Sequence, residues 1–266
     1  FFFMMNKHCI GYCIIVICCI SLVAADFDAD RCKLIDQTSP GALASNVTNY
    51  LFRGSLPLDN GDFAWSEMND TFHEVVPDMP NDYILIDLSL LNDFEPIENE
   101  EEKSFFRKNP ELGSYVNWPI WGNVMIPDAI PESKRTQMAI DLPNWQHDQL
   151  PEKIPELRDM LYTDYNITTV IYVHCDAGMD RTGEVSGSYY IRYLGWSFHE
   201  ALYYDDNAIE GKDGRNIHVA SRNGLQWYCY YLDDTSQVTN NCTLPAFDNC
   251  GYDPNRCDNY EFKEFN

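Results

Sequence analysis

Short apolar blocks bounded by turn-forming residues alternate along this chain with stretches in which apolar positions recur every three or four residues. Residues 83–88 (Tyr-Ile-Leu-Ile-Asp-Leu) follow a turn-rich segment and predict a strand. Residues 50–55 predict a second and residues 115–120 a third, the latter stopped by Pro119. Residues 167–173 are β-branched and apolar without alternation, the pattern of a strand buried on both faces. Helical spacing appears over residues 132–140 and over 155–162, where Pro155 suits a helix start. After Gly183 the positions Val185, Tyr189 and Tyr193 recur every four residues with Tyr190 and Leu194 beside them, which predicts an amphipathic helix. Further helices are predicted over 197–204 and 222–232, where the aromatic run from Trp227 to Tyr231 reads as core. Residues 32–82, rich in Asn, Asp, Gly and Pro, read as loops with at most short strands, and the charge run 95–102 as a solvated loop. No internal repeat is visible. Strands alternating with helices predict an α/β domain with a central mixed or mostly parallel sheet flanked by helices.

The ends of the chain change this picture. Asn6-Lys7-His8, an apolar run from Cys9 to Val23 and the small residues of Val23-Ala24-Ala25 have the form of a secretory signal peptide, with cleavage expected after Ala25. The expected organisation is a leader over 1–25, one main domain over 26–235 and a cysteine-containing extension over 236–266. Asn-x-Ser/Thr sites at Asn46, Asn69, Asn166 and Asn241 agree with a glycosylating, secretory route. Cys229, Cys242, Cys250 and Cys257 crowd the last part of the chain, which suggests disulfides in an oxidising compartment. The expected localisation is therefore secreted or the lumen of the secretory pathway. A formal charge of −24 opposes binding to nucleic acid or to an anionic membrane face. A phosphate site on such a chain has to be built locally, from backbone amides and a few arginines.

Such a site is written at 174–183: His174-Cys175-Asp176-Ala177-Gly178-Met179-Asp180-Arg181-Thr182-Gly183. If the five residues between Cys175 and Arg181 curl between a strand end and a helix start, their N–H groups converge on one point and bind a phosphate dianion. The same dipoles favour a Cys175 thiolate, which His174 supports through its hydrogen bonds. Arg181 offers a planar fork to two phosphoryl oxygens. Thr182 places a hydroxyl near the sulfur, and Gly178 suits a positive φ. The backbone of Asp176, Ala177, Gly178, Met179 and Asp180 forms the cradle. No metal-ligand spacing is present, and no cofactor is expected.

These residues resemble the signature loop of the protein tyrosine and dual-specificity phosphatase superfamily. The resemblance implies a phosphocysteine intermediate at Cys175 and phosphate binding by Arg181. Asp180 directly before the arginine is similar to an atypical subgroup of that superfamily. Phe52-Arg53-Gly54-Ser55 looks like the arginine-containing strand of many small members, and Trp118-Pro119 like the start of a mobile acid loop, but Ile120 stands where that loop has its aspartate. The general acid is therefore sought among Asp180, Asp128 and Asp141, with Asp180 favoured because it lies within the loop. Lys212, Arg215, His218 and Arg222 form a basic cluster that reads as a solvated loop. The expected activity is hydrolysis of phosphate monoesters on phosphotyrosine or mixed phosphoprotein substrates. Two alternatives stand beside it: an inositol phosphate or phosphoinositide phosphatase, and a phosphate-binding module without turnover.

Overall fold

The computed structural model describes residues 27–207 and 216–244. The expected leader, Lys212, Arg215, Cys250 and Cys257 lie outside the described residues. Among the described residues, seven strands and eight α-helices follow one another: β1 (Lys33–Gln37), β2 (Tyr50–Gly54), β3 (Leu58–Asp59), β4 (Asp62–Phe63), α1 (Trp65–Val75), β5 (Tyr83–Ser89), α2 (Pro96–Lys108), β6 (Gly113–Asn117), α3 (Glu132–Ile140), α4 (Leu142–Trp145), α5 (Leu150–Tyr162), β7 (Thr168–His174), α6 (Asp180–Tyr193), α7 (Phe198–Asn207) and α8 (Val219–Asp234). No helix among the described residues is long and apolar enough to cross a membrane.

The main sheet has the order β1-β2-β7-β5-β6, with β1 antiparallel at one edge and the rest parallel. This is the mostly parallel sheet between helices that the alternation of elements implies. The central strand β7 is buried along its whole length, which is why it reads as a continuous apolar run. Its side chains part by the two-residue period of a strand. Ile171 and Val173 join Val185, Tyr189, Leu157 and Trp227 in the core beneath α3 to α8, whereas Val170 and Tyr172 join Phe72, Met68 and Phe106 beneath α1 and α2. Registers place Gly54, Ser89 and His174 side by side, with Asn117 next to Ser89. The loops that follow these four residues therefore gather at one edge, the carboxyl edge, where ligands bind to open α/β sheets.

Several sequence expectations need correction. Residues 32–82 contain the helix α1 beside the expected short strands and turns, because Met68, Thr71 and Phe72 give α1 a narrow buried face despite its polar composition. Residues 96–102 belong to helix α2, with Glu95 as its N-cap, not to a solvated loop: Pro96 fills its first turn, and Glu95, Asn99, Glu102 and Phe106 share a face at four-, three- and four-residue steps. α5 starts at Leu150, five residues before the expected position, with Pro151 in its first turn and Pro155 inside it. Leu150, Ile154, Leu157 and Leu161 are its buried stripe. β6 ends at Asn117, so Trp118 to Ile120 leave the sheet instead of extending it. Finally, residues just past the expected domain boundary at 235 remain part of the fold: Val238, Cys242 and Leu244 pack on the core, and Cys242 forms a disulfide with Cys229 of α8.

Candidate active site

β7 ends at His174, and the chain turns through Cys175 to Met179 before α6 begins at Asp180. Gly178 has φ +72°, and a Cβ on it would lie 2.6 Å from the backbone of Gly54 and Ser55. Any side chain there would be both strained and blocked, so the glycine is what lets the loop close against β2. Three further contacts fix the loop from outside. Leu56 N–H donates to the Asp176 carbonyl at 2.9 Å, Arg31 Nη1 to the Ala177 carbonyl at 2.5 Å and Arg53 Nη2 to the Gly178 carbonyl at 3.2 Å. With these carbonyls held outward, the loop amides are left for the interior of the turn. The α6 amino terminus carries no side-chain cap, so its first-turn N–H groups are also available to an anion.

Arg53 is buried in β2 and forms an ion pair with Asp205 of α7. A charge without a partner at that depth would cost several kcal/mol. The pair thus ties β2, α7 and the loop into one unit. Cys175 is buried at 2% exposure and reduced, as is Cys32, whose thiol burial pushes up to about 12. The Thr182 hydroxyl is buried and has no hydrogen-bond partner among the described residues.

Arg181 projects from the first turn of α6, and Nη1 and Nη2 donate to Glu95 Oε2 and Oε1 at 2.7 and 2.6 Å. This end-on pairing leaves the Nε edge of the guanidinium for two further oxygens. Burial alone would raise the Glu95 carboxyl, but the bonds from Arg181 outweigh it and hold Glu95 below its ordinary value. Burial likewise opposes the charge on Arg181, and Glu95, Cys175 and Asp176 together keep it protonated.

Behind the loop, His174 Nε2 lies 2.9 Å from Asp87 Oδ1 and 3.0 Å from Glu102 Oε2, with all three side chains at 0% exposure. Asp87, Glu102 and Glu95 had no assigned role in the sequence reading. The signals were there: Asp87 interrupts an apolar strand, and the two glutamates stand seven residues apart, two turns of one helix face.

The aspartates expected as general acids occupy different settings. Asp180 Oδ1 accepts His218 N–H at 2.6 Å, tying the start of α6 to the start of α8. Asp128 accepts from Tyr230, Gln226 and Leu244 N–H at 2.7, 2.8 and 2.9 Å, a structural set far along α8. Asp141 is exposed between α3 and α4 and accepts from Asn144. Neither Asp128 nor Asp141 has a hydrogen bond to the Cys175–Arg181 loop among those observed. Asp176, read from sequence only for its amide, stands exposed at the mouth, and the protein packed around it raises its carboxyl while Arg181 opposes the rise.

The Trp118-Pro119-Ile120 segment is pinned. Ile120 is fully buried, Asp148 accepts the N–H groups of Trp121 and Gly122 at 2.8 and 2.9 Å, and Lys153 Nζ reaches the Pro119 carbonyl at 3.3 Å. Of the basic cluster, Arg222 is buried and His218 caps α8.

No family model matches the chain, and no curated protein matches it in sequence. Among solved structures, the chain is similar to TpbA of P. aeruginosa at 13% identity and TM-score 0.37, over 70% of this chain and 83% of that one. It is similar to the leucine rich repeat and phosphatase domain containing protein from Entamoeba histolytica at 13% identity and TM-score 0.37, over 76% and 95%. It is also similar to the core catalytic domain of the PP-IP phosphatase SIW14 from S. cerevisiae at 17% identity and TM-score 0.34, over 71% and 90%.

Proposed function

We propose that this chain hydrolyses phosphate monoesters through a phosphocysteine intermediate, with phosphotyrosine or mixed phosphoprotein substrates. The observation that carries the reading is the loop itself: Cys175 at the end of the central parallel strand, Gly178 at positive φ, an uncapped α6 amino terminus and Arg181 in its first turn. In this mechanism the Cys175 thiolate attacks phosphorus, and the ester oxygen leaves with a proton from a carboxylic acid. Water then attacks the phosphocysteine and the thiolate departs, assisted by the Thr182 hydroxyl. Arg181 and the loop amides carry the charge on the equatorial oxygens in both steps.

Asp180 and Asp176 are the candidates for the acid, because both belong to the loop. Glu95 and Asp176 set negative charge beside Arg181, and Glu98 adds to it next to Asp176, with Arg31 as the further cation there, which supports substrates with a single phosphoryl group over polyanionic inositol phosphates. Three of the four Asn-x-Ser/Thr asparagines, Asn46, Asn166 and Asn241, are exposed. Together with the Cys229–Cys242 disulfide they support a secreted or secretory-lumen protein.

Replacing Cys175 by serine is expected to abolish turnover of an aryl phosphate, and undiminished activity in that variant would refute the mechanism. A panel of phosphopeptides and inositol phosphates, run with and without reductant, decides the substrate class. It also separates an enzyme from a module that binds phosphate without turnover.

A further inference from the structure

Asp87, Glu102 and His174 form a sealed cluster directly under the nucleophile loop. His174 Nδ1 lies 3.3 Å from the Cys175 carbonyl, and a carbonyl only accepts, so Nδ1 carries a proton. Nε2 faces two carboxyl oxygens at 2.9 and 3.0 Å, which places a second proton on that side of the ring. Asp87 Oδ2 and Glu102 Oε1 have no other hydrogen-bond partner among the described residues. Among the described residues, Tyr172 stacks on the imidazole with centroids 5.5 Å apart, Tyr115 lies beside Glu102, and Glu95 and Cys175 lie nearby, while the nearby positive charge of Arg181 is paired with Glu95. A neutral ring with two bare carboxylates would leave two negative charges in a dry site, a cost that buried groups avoid by taking up protons. The cluster is neutral when it holds three protons, one on Nδ1, one between Nε2 and a carboxylate, and one on Glu102, whose carboxyl burial raises.

We propose that Asp87 and Glu102 are positioning residues that lock His174 as a doubly protonated ring, whose Nδ1–H fixes the Cys175 carbonyl and so the start of the nucleophile loop. Glu95, two turns from Glu102 on the same helix face, fixes the end of that loop at Arg181. Helix α2 thereby clamps both ends of the phosphate cradle from one side. Burial pushes Glu102 up to about 8, against the pull of His174, and the two acids hold His174 well above its ordinary value despite its burial. Both directions agree with the proton count. The three donor atoms also lie within 4.8 Å of one another, close enough for a metal ion, and a resident metal is the competing account.

The kinetic part of this proposal rests on the phosphatase reading, and the protonation part does not. The full chain labelled with 15N-histidine, observed by NMR across pH 6 to 9, tests it, with His174→Gln assigning the signal. The proposal predicts that the His174 ring keeps both nitrogens protonated well above its ordinary value of 6.5. In Asp87→Asn/Glu102→Gln burial is left unopposed and the ring becomes neutral below its ordinary value of 6.5, and kcat for an aryl phosphate falls ~10-fold while KM moves less than ~2-fold, since an unlocked nucleophile weakens the chemical step more than binding. A purely structural cluster would not produce that linked change in ring protonation and kcat. Should the double variant not fold, the wild-type pH series still decides. A wild-type His174 that titrates near 6.5 overturns the proposal, as does a stoichiometric metal whose removal by chelator changes the His174 signals. Wild-type protein that never turns over any phosphate ester, yet keeps a doubly protonated His174, refutes the phosphatase reading and leaves the locked ring standing.

Discussion

Glu95→Gln isolates the pair that orients Arg181. Both side chains are largely buried, at 17% and 23% exposure, and two charge-assisted bonds join them. Such bonds contribute roughly 1.5–3 kcal/mol each in protected sites, and less where water reaches them. Glutamine keeps one accepting oxygen and loses the charge, so about 1.5 kcal/mol of orientation is removed, equivalent to roughly a tenfold loss. The expected outcome is a ~10-fold fall in kcat/KM for an aryl phosphate and a similar loss of affinity for vanadate, which mimics the transferring phosphoryl group. Glu100→Gln, on the exposed side of the same helix, serves as the control and should change neither. Faster turnover or tighter vanadate binding in Glu95→Gln would refute the reasoning, because Glu95 would then be competing with the phosphoryl group for Arg181.

Gly178→Ala should cost ~2–4 kcal/mol through positive φ and contact with the backbone of β2, and turnover should fall at least ~100-fold; near-normal kcat/KM would show that the loop closes differently. Asp180→Asn and Asp176→Asn, compared over the alkaline limb of the pH–rate profile, identify the acid, whose loss removes that limb. Asp128→Asn should lower thermal stability, because the charge behind three acceptor contacts and one of the two accepting oxygens are lost, and leave the limb in place. Stability should decline as pH rises. Glu102, raised in the fold, binds a proton that the unfolded chain has released from about pH 4.3 up to about 8. His174, also raised, adds stability that is complete below about 6.5 and is lost as pH climbs through its folded value. Tm should therefore fall between pH 6 and 9, more steeply than in Asp87→Asn/Glu102→Gln, and a Tm that rises over this window contradicts the assignment. Cys242→Ala opens a disulfide with a sequence separation of 13 and should cost ~2–3 kcal/mol, seen as a Tm drop of roughly 5–10 °C in calorimetry.

The strands that build the site were legible because burial on both faces leaves an unbroken apolar run, as in β7, and the loop was legible because its chemistry is local in sequence. Arg53 and Gly178 were visible for the same reason. What escaped was long-range pairing. Glu95 and Glu102 belong to a run of like charges, and only the path of α2 past the carboxyl edge of the sheet turns two of those charges toward Arg181 and His174. Their helical spacing was present, but a hydrophobic pattern does not register a face made of carboxylates. Asp87 was hidden by its neighbours, since an apolar strand predicts burial and says nothing of the partner that tolerates a buried acid. α1 was missed because its turn-forming residues lie on the solvent face, while three residues suffice for the buried one. The extension past residue 235 was set apart by its lack of periodicity, although a disulfide and Leu244 hold its first part to α8 and the core.

The central claim is a covalent phosphoryl group on Cys175. Wild-type protein mixed with an aryl phosphate, quenched in acid within the first turnovers and analysed by peptide mass spectrometry, tests it directly. The account predicts a phosphoryl adduct on the peptide that carries Cys175, absent in Cys175→Ser and accumulating further in a variant that slows breakdown of the intermediate, such as Thr182→Ala. Continued turnover with no adduct on Cys175, or an adduct on another residue that survives Cys175→Ser, would contradict it.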